Sequence, residues 1–232
     1  MPSGPAKDGP AGRFDACLVD AYNTIVYTDY AAHRDELPAL AGLPADVMYG
    51  EFRRLGPAVG TGRMTLAEAF ARILRAGGAE PRPELVRALT ARTRELLLTT
   101  ARLYDDALPF LRELRSRGVK VAIVSNCDEN TRPLLAASGV AALADELILS
   151  CEVGAEKPEA AIYQQALARL GVPAGGALFV DDNAAFCAGA EELGISALRI
   201  ARGQADGHPP GAAVVTSLTE VEAMFSARKT SD

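Results

Sequence analysis

The stretch Phe14-Asp15-Ala16-Cys17-Leu18-Val19-Asp20-Ala21-Tyr22-Asn23-Thr24 decides how this chain is read. Its apolar run is short and continuous, the pattern of a parallel strand buried on both faces. The run stops at an acid, Asp20, and the turn-prone Asn23 and Thr24 follow. Open α/β sheets bind their ligands outside the carboxyl ends of such strands, so Asp20 is the first candidate for a functional residue.

Four later segments repeat the pattern. Val119–Val124 runs into Ser125-Asn126, Glu146–Ser150 into Cys151-Glu152, and Ala177–Val180 into Asp181-Asp182-Asn183, while Ala197–Ile200 follows Gly194. Amphipathic stretches lie between them, at Leu108–Arg117, Asn130–Ser138, Glu159–Leu170 and Ala184–Leu193. Gly118, Gly139, Gly171 and Gly194 fall just past the predicted helix ends, where a left-handed residue is needed to stop a helix. Strand and helix in alternation imply right-handed parallel crossovers. The expected fold is therefore α/β, a three-layer doubly wound parallel sheet. Near the end, Val214-Val215 suggests a last short strand, and Ser217–Glu220 a capping box that opens a terminal helix.

Residues 32–100 break the rhythm. They are rich in Ala, Leu, Arg and Glu, with helical stretches at Met64–Ala76 and Pro83–Thr99, and are punctuated at Pro57, Gly60, Gly62, Gly77 and Gly78. Connections in compact domains are usually far shorter, so this is expected to be a helical cap over the strand ends. The expected organisation is a disordered tail at 1–13, a core from 14–31 and 101–232, and the cap at 32–100.

Composition narrows the function. The 232 residues are 49% hydrophobic and carry a net charge of −6, which argues against nucleic acid as a partner. The first dozen residues lack the apolar segment of a signal peptide, and no run approaches the roughly 20 apolar residues that cross a bilayer. Cys17, Cys127, Cys151 and Cys187 show no CxxC spacing, so a zinc site is not expected, and reduced thiols point to the cytoplasm.

Polar residues end several strands of one sheet, at Asp20, Ser125-Asn126 and Asp181-Asp182, and such ends converge on a shared crevice. A buried strand needs none of them for stability. Asp20 can attack an electrophile or ligate a divalent metal. Several acids in one crevice repel unless a hard cation or a lysine balances them, which suits Mg²⁺ and gives Lys157 a task.

These motifs, in this order, resemble the haloacid dehalogenase-like (HAD) superfamily: an acid and a Thr at Asp20 and Thr24, Ser125-Asn126, Lys157-Pro158 and Asp181-Asp182. The resemblance covers about residues 14–200, with the insertion in the place of the family's helical cap. It implies that Asp20 is both nucleophile and Mg²⁺ ligand, with Thr24 supporting its loop. Ser125 and Asn126 would hold the transferring group, Lys157 balance charge, and Asp181 with Asp182 complete the metal site. The residue at position 22 would lend its backbone carbonyl to the metal.

Subfamilies part at Tyr22. In phosphatases this position is an Asp that protonates the leaving alcohol. A tyrosine, with an ordinary pKa of about 10, donates weakly at neutral pH, and loss of a general acid costs on the order of 10²–10⁴-fold in rate. The 2-haloacid dehalogenases carry a DxYGT motif, to which Asp20–Thr24 is similar, and a halide leaves without a proton. Those enzymes work without metal and have Ser-Ser-Asn plus a later Asp where this chain has Asp181-Asp182-Asn183 and Phe186. Asn183 is kept as a candidate substrate contact. The paired acids outweigh the tyrosine, so the first expectation is a Mg²⁺-dependent phosphatase acting on a small anionic phosphorylated metabolite, as a monomer or homodimer. A metal-free 2-haloacid dehalogenase comes second, and a catalytically impaired binding protein third.

Overall fold

Strand β1, Ala16–Val19, is inaccessible to solvent along its whole length, and it lies inside the sheet with a parallel neighbour on each side. The computed structural model describes residues 14–203 and 213–225, so the expected tail at 1–13 and the loop from Gln204 to Gly211 lie outside the described residues. β4 (Lys120–Ser125), β5 (Glu146–Leu149), β6 (Ala177–Asp181), β7 (Ser196–Ile200) and β8 (Ala213–Val215) complete a six-stranded parallel sheet in the order β5-β4-β1-β6-β7-β8.

Alternation along β1 shows why both faces must be covered. Cys17 and Val19 enter one apolar cluster with Phe110, Leu111, Leu135, Leu218 and Val221, which come from α5 (Ala107–Ser116), α6 (Thr131–Ala137) and α10 (Leu218–Glu222). Ala16 and Leu18 enter the other, with Ile162, Tyr163, Cys187 and Ala190 from α8 (Ala160–Leu170) and α9 (Ala184–Glu191). The three layers agree with the sequence pattern. Gly118, Gly139, Gly171 and Gly194 all take positive φ, as expected of helix stops. Ser150 differs from the expectation: it begins a one-turn helix, α7 (Ser150–Val153), instead of ending the strand.

The insertion is four helices, α1 (Ala31–Ala41), α2 (Ala45–Gly60), α3 (Leu66–Ala76) and α4 (Pro83–Thr100). It has its own buried cluster, including Met48, Leu55, Phe70, Ile73, Leu74 and Leu89. In α3, Leu66, Ala69, Phe70, Ile73 and Leu74 form the buried stripe, and a reciprocal Thr65–Glu68 capping box opens the helix. Pro57, expected to interrupt, lies inside α2. It stands in the last turn, where its carbonyl accepts from the Thr61 hydroxyl, and burial of Leu55 and Val59 anchors that turn. An antiparallel ribbon that the sequence did not announce joins the insertion to the core: β2 (Val26–Thr28) leads out and β3 (Ala101–Leu103) leads back, with Val26 opposite Leu103. Its strands have three residues each, too few to show a period.

None of the described helices is long and apolar enough to cross a membrane. All four cysteines are free thiols.

Gly62 brings the insertion's backbone close against that of the core. Its φ is +68°, and a Cβ placed there would lie 1.9 Å from the Cys151 carbonyl oxygen. Both the left-handed backbone and the backbone-to-backbone approach exclude a side chain. Gly62→Ala is expected to lower the unfolding free energy by about 2–4 kcal/mol in urea titration. A change within about 0.5 kcal/mol would show that this contact does not constrain the fold.

Candidate active site

Parallel register builds the centre of the site. Val19 pairs with Val180, so Asp20 and Asp181 follow at the same level on adjacent strands. Side chains at one level of neighbouring strands project to the same side, roughly 5 Å apart. Two carboxylates are therefore forced together at the carboxyl edge of the sheet. Asp20 is 5% exposed and Asp181 is fully buried.

Lys157 lies between them. Its Nζ donates to Asp20 Oδ1 at 2.6 Å and to Asp181 Oδ2 at 2.6 Å, and the lysine side chain is 1% exposed. The rings of Phe179 and Phe186 lie 5.6 and 5.1 Å from Nζ and close off water. Asn126 holds the lysine's backbone: its Nδ2 donates to the Lys157 carbonyl at 2.9 Å and its Oδ1 accepts from the Lys157 N–H at 2.7 Å. This carboxamide, expected to touch substrate, bonds the lysine's backbone on both sides.

The remaining expected residues divide into two groups. Ser125 and Thr24 are fully buried, and their hydroxyl oxygens have no hydrogen-bond partner. A buried unpaired hydroxyl costs about 1–3 kcal/mol, which a polar partner at either position would recover. Asn183, by contrast, caps α9: its Oδ1 accepts from the Ala185 N–H at 2.9 Å. Asp182 is half-buried, and its carbonyl accepts from Arg199 Nε at 3.1 Å. The Tyr22 hydroxyl shares a 2.9 Å hydrogen bond with the Thr131 hydroxyl. Burial pushes the Tyr22 phenol far above its ordinary range, so it holds its proton firmly.

Sequence reasoning missed a second, part-buried lattice, behind the Asp20–Thr24 loop. Arg202 donates Nη2 and Nε to the Thr24 carbonyl at 2.7 and 3.2 Å, and forks onto both Asp106 oxygens at 2.7 and 2.8 Å. Its guanidinium lies 4.2 Å from the centre of the Tyr104 ring, and Asp106 also accepts the Leu218 N–H at 2.9 Å. Burial works to raise the Asp106 carboxyl, but these bonds outweigh it and hold it below the usual range. Asp106 and Arg202 stand at loop positions with no periodic signal, and only the folded chain brings them together.

Charge in the centre is unbalanced. One carboxylate oxygen each from Asp20, Asp181 and Asp182 can be chosen within 4.8 Å of one another, against the single positive charge of Lys157. Burial pushes the Asp20 carboxyl up despite the attraction of Lys157. Burial, with repulsion from Asp20, pushes Asp181 up to about 7 against the same attraction. Burial alone would lower the Lys157 ammonium, but the two carboxylates outweigh it and hold it above its ordinary value. Clustered hard oxygen donors with excess negative charge fit a small divalent cation such as Mg²⁺.

A family model for haloacid dehalogenase-like hydrolases matches residues 14–194. The chain belongs to the haloacid dehalogenase-like hydrolases. It is similar to glyceraldehyde 3-phosphate phosphatase of Methanopyrus kandleri, 32% identical over 178 residues, which is 75% of this chain and 76% of that protein. It is also similar to (S)-2-haloacid dehalogenase 4A of Burkholderia cepacia, 32% identical over 204 residues, covering 84% and 85% of the two. A crystal structure of a dehalogenase, 27% identical, matches with a TM-score of 0.61 over 91% of this chain and 96% of that one. This hydrolase thus has relatives of equal identity that carry out two different reactions.

A carboxyl with a folded pKa above its unfolded value of about 3.9 binds protons more tightly when folded. Its contribution to stability is complete below that value and is lost as pH rises through the folded pKa. With Asp181 pushed up to about 7, the urea midpoint in EDTA is expected to fall between about pH 4 and about pH 7. Asp181→Asn leaves one lysine facing one acid and should flatten that fall. An unchanged slope would place the titration elsewhere.

Proposed function

We propose that this hydrolase is a Mg²⁺-dependent phosphatase acting on a small anionic phosphorylated metabolite in the cytoplasm, with Asp20 as nucleophile. The observation that carries the reading is the cluster of Asp20, Asp181 and Asp182, three carboxylates of which Lys157 touches only the first two. A haloacid carboxylate entering such a site without a cation would meet strong repulsion in a medium of low dielectric. Asp20 has one oxygen on Lys157, which orients the group and favours its ionised form against the effect of burial, and attack forms an aspartyl–phosphate bond as the alkoxide departs. The buried Ser125 hydroxyl, otherwise unpaired, donates to a phosphoryl oxygen. A bound Mg²⁺ would be held by Asp20, Asp181, Asp182 and the Tyr22 carbonyl, and supplies charge neutralisation on the transferring group. The four helices between β2 and β3 act as the cap over this edge.

Tyr22 does not serve as the acid in this reading. Its hydroxyl is engaged with Thr131 and holds its proton, so the alkoxide is protonated by water and turnover is slow. The same tyrosine supports the second reading, metal-free dehalogenation, in which the leaving halide needs no proton.

Phosphate release from a panel of sugar, acid and nucleotide phosphates is expected to require Mg²⁺, to stop in EDTA and to fall to background in Asp20→Asn. Halide release from 2-chloropropionate that survives EDTA, with no phosphate released, would replace this reading by the dehalogenase one. Neither activity would indicate a binding protein.

Tyr22→Phe is expected to change kcat by less than about threefold, because the hydroxyl is not the acid. Tyr22→Asp should raise kcat on the order of 10²-fold by restoring a carboxylic acid beside the nucleophile. A loss of about 10²-fold in Tyr22→Phe would make the phenol the proton donor after all.

A further inference from the structure

The carboxyl edge of the sheet carries a pair of cysteines that no step of the hydrolysis uses. Ser125 at the end of β4 pairs with Leu149 at the end of β5, and two residues beyond each stand Cys127 and Cys151. Neighbouring strands lie about 4.8 Å apart, and a disulfide bridges Cα atoms roughly 4.4–6.8 Å apart. Ser150 ties the two segments together past the strand ends. Its hydroxyl accepts the Cys127 N–H at 2.9 Å and donates to the Cys127 carbonyl at 3.3 Å. The Cys151 thiol in turn donates a hydrogen bond to the Cys127 sulfur, so two free thiols meet.

Both are half-buried, whereas Cys17 and Cys187 are sealed in the two core clusters. A cavity of about 540 Å³, walled in part by Gly62, Met64, Arg132 and Glu152, has Cys151 in its lining and gives small reagents a way in. The Cys151 thiol, helped by the Thr131 hydroxyl, holds Cys127 below its ordinary value against burial, which favours the reactive thiolate. Thr131 also links the pair to the catalytic edge. Its hydroxyl touches Cys127 on one side and the Tyr22 hydroxyl, at 2.9 Å, on the other, and Ser125 lies two residues before Cys127.

We propose that Cys127 and Cys151 form a reversible disulfide in response to peroxide, and that its closure slows hydrolysis by drawing Cys127 away from Thr131. One thiolate attacks hydrogen peroxide, takes up one oxygen as a sulfenic acid and releases hydroxide. The second sulfur displaces that oxygen, which leaves as water with the thiol proton, and the S–S bond forms. Two thiols are thus oxidised as one peroxide is reduced. An external dithiol resets the pair by thiol–disulfide exchange.

Native protein treated with a few equivalents of hydrogen peroxide, then alkylated and digested without reductant, should yield a cross-linked peptide containing Cys127 and Cys151. Free thiols should fall from four to two and return in dithiothreitol, with Cys17 and Cys187 unmodified. The cross-link should be absent from Cys127→Ser and from Cys151→Ser. In untreated wild type, phenylarsine oxide, which binds tightly only across two adjacent thiols, should protect the same two cysteines from alkylation. Hydrolysis, followed as phosphate release or as halide release from 2-chloropropionate, should fall on the order of tenfold on oxidation and recover in dithiothreitol. Either serine variant should keep its activity under the same peroxide. Four surviving thiols, sulfinic or sulfonic acid at one cysteine without the cross-link, or a bond to Cys17, Cys187 or a second chain would overturn the proposal. A complete disulfide with unchanged hydrolysis would overturn its link to the catalytic edge. The cross-link is read by mass, so failure of the phosphatase reading would leave it standing.

Discussion

A single buried ammonium holds the catalytic edge of this protein together. Lys157 touches two carboxylates that parallel register has already forced to one level, and it does so where water cannot screen the interaction. Removing one partner from a buried charge cluster usually costs about 3–5 kcal/mol, because the remaining charge is left uncompensated. The aromatic walls from Phe179 and Phe186 sharpen this dependence by keeping the local dielectric low. Asn126 is subordinate to the same requirement, since its amide grips the backbone of the residue that carries the charge.

Much of this was legible in the sequence, for identifiable reasons. Strand ends were readable because a strand buried on both faces is continuously apolar, so Asp20 and Asp181 stood out against Val19 and Val180. Helix stops were readable because only glycine enters the left-handed region cheaply, as Gly118 and Gly171 do. The grouping of Asp20, Lys157 and Asp181 followed from strand position together with the resemblance. The roles of Asn126 and Asn183 did not follow, because a carboxamide offers both donor and acceptor, and only the folded backbone decides which partner it meets. The β2–β3 ribbon and the Arg202–Asp106 lattice were illegible for a different reason: short strands carry no period, and isolated charges in loops carry no spacing.

Family membership and site geometry constrain the reaction from opposite sides. Relatives named for phosphatase and for dehalogenase activity stand at the same identity, so overall similarity does not choose between them. The choice falls on local chemistry. Position 22 holds a phenol tied to Thr131, and the fourth motif holds two acids. The first feature sets how readily a leaving group is protonated, and the second sets what charge the site tolerates. The two features therefore act on different parts of the site's chemistry.

The central position of β1 also has a consequence for synthesis. Among the strands of this sheet Ala16–Val19 is made first, yet its neighbours are β4, which begins at Lys120, and β6, which begins at Ala177. The ammonium that balances Asp20 follows it by 137 residues. At roughly 5–20 residues per second, the nascent strand waits about 10 s or more for its partners. Throughout that interval a wholly apolar segment has no sheet to join, while the four helices of the insertion, which close on local contacts, can already assemble. Asp20 is thus made well before the strands and the lysine that surround it, and chaperones have access to this apolar segment throughout that interval.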